Sequence, residues 1–424
     1  MNAAFLKSFQ TLNEVYANRA FSSIALNRAL NGCAAKDKAL VTKIVYGVLD
    51  NDIKLTYVIG KYVRKLPKGT ALILLKMGAY CLTELSIPSY AVVNDMAELA
   101  KITGDKYVVG FVNATLKRMS QTVKDFGDYP ADPLENASIR YSYPLWALKK
   151  LVKDYGKEQA LSIVSFPPEQ RSTVRFTTDI NTSIINEKYG VQAQITPFND
   201  AFYISGALKQ EGRDFTAQSL SSMCIARICA EKLKFGKFLD CCAAPGGKSV
   251  YVKQLCPNSD VTSCDVHPHR VELINAYANR MQVELTTRCL DMSVPCSEFA
   301  NAFDVVLCDV PCSGFGVLNN RPDIKLFRNS EDLPELMHLQ YSILRNCSNY
   351  VKKGGYLVYS TCTVFDNENG QNVRKFLKEH DGFEYSQIVL PEFPNAHGKG
   401  SYQFLPPVDG IQGFFVAVFK RMNS

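Results

Sequence analysis

The sequence predicts an α/β domain, built on a parallel sheet with helices on both faces, that follows an all-helical domain. Three observations lead to this prediction. From residue 236 onwards, short apolar segments typical of strands alternate with segments of helical periodicity. Residues 1–125 show helical spacing almost throughout. The chain has 424 residues, of which 46% are hydrophobic and 21% charged, as expected for two or three folded domains.

Residues 1–125 are predicted to form a compact helical bundle. Leu72, Leu75, Ala79 and Leu82 recur at helical spacing within one segment. Further helical patterns cover residues 4–18, 22–31, 36–50, 53–65, 89–101 and 107–119. The positive charge is concentrated here, because this region has 17 Lys and Arg against 9 Asp and Glu, whereas the rest of the chain has a net charge of −1. A basic module favours a polyanionic partner, most simply nucleic acid, although charge alone fits a solvated helical surface equally well.

Two segments connect this bundle to the α/β domain. Residues 126–143 are rich in Asp, Pro and Asn, which predicts a linker. Residues 144–235 mix short helices with strand-like pieces at 171–177 and 201–205, which predicts a connecting subdomain. In the domain at 236–424, strands are expected at 238–242, 260–265, 285–290, 303–308, 356–360 and 413–420. Helices are expected near 268–281, 331–351 and 367–379.

The same sequence argues against a membrane or secreted protein. The longest apolar candidate, residues 71–80, is interrupted by Lys76 and is too short to span a bilayer. The N-terminus lacks the pattern of a signal peptide. Fourteen cysteines without a CxxC pair indicate a reducing compartment, the cytoplasm. Most of these thiols should pack in the core, and the strand-like segments place Cys241, Cys264, Cys289 and Cys308 there.

No metal site is expected. The close cysteine pairs typical of zinc sites are absent, and His267 and His269 flank a proline without further ligands at a suitable spacing.

The segment FLDCCAAPGGKS, residues 238–249, is the sharpest local pattern. A strand runs into small residues and then opens a helix, so that a ligand could approach the backbone. The pattern fails as a phosphate-binding P-loop because Cys242 replaces the first glycine, and G-x-G-x-x-G is absent. It therefore indicates a nucleoside cofactor site or a structural tight turn, and an ATP-using enzyme with an unusual phosphate loop stays as an alternative.

Acidic residues follow three successive strand-like segments. Asp265, Asp291 and Asp309 would lie at the carboxyl edge of the sheet, where open α/β sheets bind ligands. Asp265 is suited to ribose hydroxyls and Asp291 to an adenine amino group. Each aspartate alone could instead cap a helix or a turn.

Two cysteine-containing loops suggest the chemistry. One contains Cys312 and comes after Asp309, and the other contains Cys362. Both follow predicted strands, so the two thiols could share a cleft with the cofactor. A thiolate that adds to carbon 6 of cytosine makes carbon 5 nucleophilic enough to accept a methyl group. An acid near ring nitrogen 3 stabilises the negative charge that develops on the ring during addition, and a second thiol could assist expulsion of the attacking thiolate. This trio suits methylation at carbon 5 of cytosine.

The segments LDCCAAPGGKS, DVPCSGFGV with RPDIK, and YSTCTVFDNEN resemble the RNA cytosine-5 methyltransferases of the Nol1/Nop2/Sun family over residues 165–424. The resemblance implies a Rossmann-like fold that binds S-adenosylmethionine. It also implies that Cys362 is the nucleophile, that Cys312 promotes product release and that Asp309 contacts the base. The implied cofactor-binding residues are Cys242, Ala243, Ala244, Pro245, Gly246, Gly247, Lys248, Asp265, Asp291 and Asp309.

The N-terminal region resembles a NusB-type RNA-binding domain at VVND, residues 92–95, and GFVNATLKR, residues 110–118. The combination is similar to bacterial members of the family that methylate small-subunit (16S) ribosomal RNA. The expected partner is therefore that RNA, with no membrane partner, and the protein is expected to be a monomer. The alternatives are another RNA substrate (tRNA or large-subunit rRNA) and a catalytically silent RNA-binding or antitermination-like protein.

Two positions depart from the family pattern, and two basic residues have more than one expected contact. The family usually has Asp where this chain has Gln412, and a Gln-Asp pair where it has Gln218-Ser219. These departures put local contacts in doubt but leave the cysteine chemistry intact. Arg321 and Lys325 are expected either to contact RNA phosphates or to be solvated.

Overall fold

The computed structural model describes residues 3–103, 106–122, 129–167, 171–206, 208 and 212–423. The chain forms two compact units, one comprising Met1–Ser165 with Leu318–Ser330, and the other Phe166–Val317 with Glu331–Ser424. Within the described residues, no helix is both long enough and apolar enough to cross a membrane.

The first unit is helical, as predicted. Its helices are α1 (Ala3–Asn18), α2 (Ser22–Leu30), α3 (Ala35–Asp50), α4 (Asp52–Gly60), α5 (Gly69–Glu84), α6 (Ser89–Ile102), α7 (Lys106–Thr122), α8 (Pro133–Arg140), α9 (Leu145–Tyr155) and α10 (Lys157–Ser165). The apolar stripe of α5 is buried, with Leu75 and Ala79 fully inaccessible. Lys76 is also buried there, and its charge is compensated by Asp52 at 2.5 Å.

The predicted linker, residues 126–143, contains α8, and residues 144–165 belong to the helical unit. The Asp132 carboxylate accepts hydrogen bonds from the backbone N–H groups of Leu134 and Glu135, and Pro133 occupies the first turn. The same Asp-Pro composition that suggests a linker is thus a helix start signal. Residues 126–128 of the predicted linker lie outside the described residues.

The segment Leu318–Ser330 packs in the helical unit and includes the short helix α15 (Ile324–Phe327). The Lys325 ammonium donates to the Asp50 carbonyl oxygen at 2.8 Å, and only 8% of its side chain is exposed. Ser22 donates to the buried Asp323 carboxylate. The Lys325 side chain is therefore used inside the protein, contrary to the expectation of an RNA contact or a solvated charge.

The second unit begins with a small antiparallel sheet in the strand order β2-β3-β1-β4. Its elements are β1 (Ser172–Phe176), α11 (Thr182–Tyr189), β2 (Gln192–Ile195), β3 (Ala201–Ser205) and β4 (Phe215–Ala217). Predicted strands at 171–177 and 201–205 correspond to β1 and β3. Residues 168–170, 207 and 209–211 of the predicted connecting subdomain lie outside the described residues.

The rest of this unit is the predicted α/β fold. Its elements are α12 (Leu220–Leu233), β5 (Lys237–Asp240), α13 (Gly247–Leu255), β6 (Asp260–Asp265), α14 (Pro268–Met281), β7 (Thr286–Cys289), β8 (Phe303–Asp309), α16 (Leu333–Ser348), β9 (Val351–Thr361), α17 (Gly370–Glu379), β10 (Phe383–Tyr385), β11 (Ser401–Phe404), α18 (Pro406–Asp409) and β12 (Phe414–Arg421). The sheet order is β10-β12-β9-β8-β5-β6-β7, with β11 beside β12. Strands β5 to β9 pair in parallel, and β10, β11 and β12 pair antiparallel.

Apolar side chains cover both faces of this sheet. One core joins α12 and α13 to residues such as Val305 and Leu307 of β8, and the other joins α16 and α17 to Val306 and Cys308. Alternate residues of one strand thus enter opposite cores, as a sheet buried on both faces requires. The parallel strands share their carboxyl edge, which positions the site described next.

Candidate active site

The two loop cysteines are in contact. Strands β8 and β9 pair in parallel with Asp309 opposite Ser360, so the loops after them leave the sheet side by side. The Sγ atoms of Cys312 and Cys362 are 3.1 Å apart. Both residues are only partly exposed, and the free thiols lie at the edge where the sequence predicts the cofactor.

The pKa values of the two thiols move in opposite directions. The hydrogen bond between the sulfurs raises the pKa of Cys312 well above its usual 9.0, and burial adds to this rise. The same hydrogen bond lowers the pKa of Cys362, against burial and the Asp309 charge, which raise it, and the Lys248 charge adds to the lowering. Cys362 is therefore the thiol that ionises more readily, and the thiolate is the nucleophilic form.

Asp309, the last residue of β8, lies beside this pair and holds two polar partners. Its carboxylate accepts a hydrogen bond from Ser360 Oγ at 2.7 Å and forms an ion pair with Lys248 Nζ at 2.6 Å. Burial alone would lower the pKa of Lys248, but the Asp309 carboxylate raises it overall. Lys248, which the sequence assigns to the cofactor turn, thus reaches the cysteine site as well.

The predicted cofactor turn, residues 242–248, is a tight turn between β5 and α13. Gly246 N donates to the Ala243 carbonyl oxygen at 2.7 Å, and the Ala244–Pro245 peptide is cis. Gly246 has a φ of +104°, and a Cβ there would approach Ile274 Cγ2 to 3.2 Å. The glycine is required for both reasons.

Three buried polar atoms near this turn have no hydrogen-bond partner among the described residues. They are Asp240 Oδ1, Ser263 Oγ and Asp265 Oδ2, on the neighbouring strands β5 and β6. Two of them are carboxylate oxygens, which accept hydrogen bonds from the hydroxyl and amine groups of a nucleoside–amino acid cofactor. The donor and acceptor chemistry fits S-adenosylmethionine. Asp240, which ends the first strand of the α/β domain, is not among the residues predicted for the site.

The remaining acidic candidates occupy the same edge of the sheet. Asp265 is 2% exposed and forms an ion pair with Arg270 at 3.2 Å. Asp291 is exposed after the edge strand β7, and its carboxylate accepts hydrogen bonds from Ser293 N and Oγ. Asp265, Asp291 and Asp309 therefore follow β6, β7 and β8, and their predicted contacts with the cofactor remain predictions.

The two departures from the family pattern lie close together. Ser219 caps α12, and its hydroxyl is 3.0 Å from that of Ser221. Ser221 Oγ in turn donates to Gln412 Oε1 at 3.2 Å. Gln218 Nε2 donates to the Gly247 carbonyl oxygen at 3.1 Å, which connects this cluster to the cofactor turn. The neutral residues at positions 219 and 412 thus form one hydrogen-bonded chain.

The other cysteines are mostly core residues. Cys241, Cys264 and Cys308 are buried, as predicted, but Cys289 is exposed because β7 is the edge strand of the sheet. The sulfurs of Cys241, Cys308 and Cys347 lie within 4.8 Å of one another. This group is not visible in the sequence, and it supplies three thiols where a structural zinc site takes four ligands.

Together, the parallel sheet, the turn before α13, the acidic strand ends and the paired thiols define an α/β protein whose sheet edge is suited to a nucleoside cofactor and carries two cysteines in contact. Comparison with known families specifies the enzyme. Residues 231–420 match the model of the 16S rRNA methyltransferase RsmB/F family, and residues 6–121 match that of the NusB family.

Relatives match over nearly the whole chain. A probable ribosomal RNA small subunit methyltransferase B of Bacillus subtilis is 32% identical and covers 98% of both chains. The ribosomal RNA small subunit methyltransferase B of Photorhabdus laumondii is 29% identical over 96% of both. The chain belongs to the RsmB/F family of methyltransferases, and it is an S-adenosylmethionine-dependent RNA methyltransferase with a NusB-type helical domain.

Solved structures support the fold. The crystal structure of PH0851 superimposes with a TM-score of 0.80 at 19% identity and covers 98% of both chains. The structure of NSun6 from Pyrococcus horikoshii with SFG has a TM-score of 0.57 at 18% identity, covering 66% of this chain and 99% of that one. The predicted fold class is confirmed.

Proposed function

We propose that the protein methylates carbon 5 of one cytosine in small-subunit (16S) ribosomal RNA through a covalent cysteine–cytosine intermediate. The observation that carries this proposal is the contact between Cys312 and Cys362, with their sulfurs 3.1 Å apart beside Asp309. Cytosine carbon 5 requires covalent activation before it can accept a methyl group, and a pair of thiols is suited to form and then resolve such an adduct.

Cys362 is the proposed nucleophile. Its lowered pKa favours the thiolate, which adds to carbon 6 of the base. Asp309 is the proposed contact to ring nitrogen 3. Its carboxylate is paired with the Lys248 ammonium at 2.6 Å, and a proton passed from this ammonium to Asp309 would let Asp309 donate to ring nitrogen 3 as negative charge develops there. S-adenosylmethionine, when bound, supplies the methyl group for carbon 5. The acidic edge and the turn at residues 242–248 are the proposed binding site for it.

Cys312 is proposed to resolve the intermediate. Its raised pKa keeps it protonated next to Cys362. Once water has taken the carbon 5 proton, the electron pair of that bond restores the ring double bond, the Cys362 sulfur leaves as a thiolate, and the Cys312 thiol donates a hydrogen bond to it. A silent RNA-binding protein would have no need of two partly exposed thiols with opposite pKa changes in contact. The paired sulfurs therefore favour an active enzyme.

Ribosomal RNA as substrate is supported by the family and by the charge of the helical unit. The relatives are named as small-subunit rRNA methyltransferases. Lys65 and Lys68, between α4 and α5, are exposed and suited to phosphate contacts. The target base must leave its stack, since one face must meet a thiol and carbon 5 must meet the cofactor. The cytoplasm, where ribosomal RNA is processed in bacteria, is the proposed location.

Two substitutions test the mechanism. Cys362→Ala should abolish turnover because no thiolate is left to attack carbon 6. Cys312→Ala should form the adduct but release it slowly, giving a denaturation-resistant protein–RNA band. Cys289→Ala is the matched control, because Cys289 is exposed on the edge strand β7. Normal turnover of Cys312→Ala without such a band would contradict the assigned roles.

The target RNA is tested separately. Bisulfite sequencing of RNA from cells with and without the gene should show one 5-methylcytosine in 16S rRNA that depends on the gene. A gene-dependent site in tRNA or large-subunit rRNA instead would replace the proposed substrate while keeping the chemistry.

A further inference from the structure

The loop that contains Cys312 is held on both sides of the cysteine by buried groups. The Glu368 carboxylate, fully buried, accepts hydrogen bonds from Ser313 N at 2.8 Å and from Ser313 Oγ at 2.5 Å. On the other side of Cys312, the Pro311 carbonyl oxygen accepts from Gln340 Nε2 at 3.0 Å. Gln340 Nε2 also donates to Glu368 at 2.8 Å, which joins the two sides.

The loop that contains Cys362 is held in a similar way by Asn369, the residue after Glu368. Asn369 Oδ1 accepts from Thr361 Oγ1 at 2.5 Å, and Asn369 Nδ2 donates to the Thr363 carbonyl oxygen at 3.1 Å. Thr361 and Thr363 flank Cys362, and Asn369 is 1% exposed. The Asn369 side chain therefore binds the side chain of Thr361 and the backbone of Thr363, the two residues that flank the proposed nucleophile.

The two halves are coupled to each other. The Ser313 and Thr363 hydroxyls are 2.8 Å apart, and because the Ser313 hydroxyl donates to Glu368, Thr363 is the donor between them. A buried carboxylate with neutral partners is costly unless its hydrogen bonds are complete. The negative charge of Glu368 also opposes ionisation of both thiols, which argues against a role in activating them. Glu368 therefore holds the loop that contains Cys312 in position and does not activate either thiol.

We propose that Glu368 and Asn369 are positioning residues, and that each acts on a different step of the reaction, product release or attack on the base. Glu368 sets the position of Cys312 and therefore the release of the product, and Asn369 sets the position of Cys362 and therefore the attack. The inference rests on the proposed function for the identity of the steps. Buried polar groups that bridge two loops hold them in one arrangement, and small displacements at a reaction centre reduce rates strongly.

Isosteric substitutions separate the two roles. Glu368→Gln places an amide NH2 group next to the hydrogen-bond donors of Ser313 and Gln340, so the loop that contains Cys312 should be displaced. Turnover should then fall on the order of ten-fold, and the covalent adduct should accumulate. Asn369→Asp removes the donated hydrogen bond to the Thr363 carbonyl oxygen, so turnover should fall to a similar degree without accumulation of adduct. Both variants should keep the wild-type affinity for S-adenosylmethionine. A change of the adduct level in the same direction in both variants would overturn the proposed division.

A second readout does not depend on methylation. Diamide, which takes two electrons and two protons from a thiol pair, should convert Cys312 and Cys362 into a disulfide rapidly in the wild type, because their sulfurs are 3.1 Å apart. Compared at a pH high enough that Cys362 is fully ionised in every protein, where the changed charges no longer alter the thiolate fraction, Glu368→Gln and Asn369→Asp should each slow this reaction on the order of ten-fold. Wild-type rates in both variants would show that neither residue positions the thiols, even if the proposed reaction itself proved wrong.

Milder variants guard against loss of folding. Ser313→Ala removes the hydroxyl that donates to Glu368 and meets Thr363, and Thr361→Val removes the hydroxyl that donates to Asn369. Each should reproduce the respective adduct phenotype more weakly, because the backbone contacts of Glu368 and Asn369 are kept. Glu384→Gln, at an exposed position on β10, is the control for the glutamate change and should behave as wild type in both assays.

Discussion

Asp240 should make the α/β unit less stable as the pH rises. Burial raises the pKa of this carboxyl from 3.8 to about 7. The charged form is thus disfavoured in the folded state, so the associated stability is complete below the unfolded value of 3.8 and is lost as the pH rises to about 7. The full difference corresponds to about 4 kcal/mol, of which about 2 kcal/mol falls between about pH 5.5 and pH 8.

Asp240→Asn removes this dependence while keeping an oxygen acceptor for Ser249 Oγ, which donates to Asp240 at 2.7 Å. The substitution should therefore stabilise the unit at pH 8 and change little near pH 4. Hydrogen exchange measured on peptides from β5 and β8 reports the opening free energy of this sheet directly. Peptides from α5, in the helical unit, serve as the internal reference.

The expected result is a decrease of about 2 kcal/mol in wild-type opening free energy across this pH range, and a flat profile for Asp240→Asn. Parallel pH profiles for the two proteins would refute the reasoning, because Asp240 would then not titrate in the folded state in this range. Equal changes in the α5 peptides would point to a general effect of pH on exchange.

Two further predictions concern the thiols and the RNA. Iodoacetamide should alkylate Cys362 with a pH midpoint below 9.0, and Cys312→Ala should move that midpoint upward because the hydrogen bond that lowers the pKa of Cys362 is lost. Peptide mass spectrometry measures the midpoint in both proteins. An unchanged midpoint would contradict the coupling of the two thiols. Lys65→Glu combined with Lys68→Glu should weaken RNA binding and reduce the slope of log affinity against log salt by about 2. Lys378→Glu, on an exposed position of α17, is the matched control, and equal loss in both proteins would exclude a specific contact at residues 65 and 68.

The parts of the fold that the sequence predicts best are its buried parallel strands. The expected strand at 260–265 matches β6, and the one at 303–308 differs from β8 by a single residue. Such strands are continuous apolar runs between turn residues, which makes them visible. Strands β2, β4, β10 and β11 were not predicted because they are only three or four residues long, and all but β4 carry little buried surface.

The site was predictable as far as strand order could be inferred. Adjacent strands bring the loops of Cys312 and Cys362 together, so their contact follows from topology. The Lys248–Asp309 ion pair and the hydrogen bonds of Glu368 and Asn369 could not be foreseen, because they depend on how loops return to the sheet edge. Cys289 was misassigned for a related reason, since a strand pattern does not reveal which strand ends the sheet.

The difference between the two thiols also lies beyond the sequence. Two cysteines in neighbouring loops have the same intrinsic chemistry, and from residue types alone either could attack the base. The environment separates them, because one hydrogen bond lowers the pKa of Cys362 and raises that of Cys312. Burial and the Asp309 charge oppose this lowering for Cys362, and the Lys248 charge supports it, so the hydrogen bond between the sulfurs is the main cause of the difference. A pair held at 3.1 Å thus supplies one nucleophile and one proton donor, which are the two groups that formation and release of a covalent intermediate require.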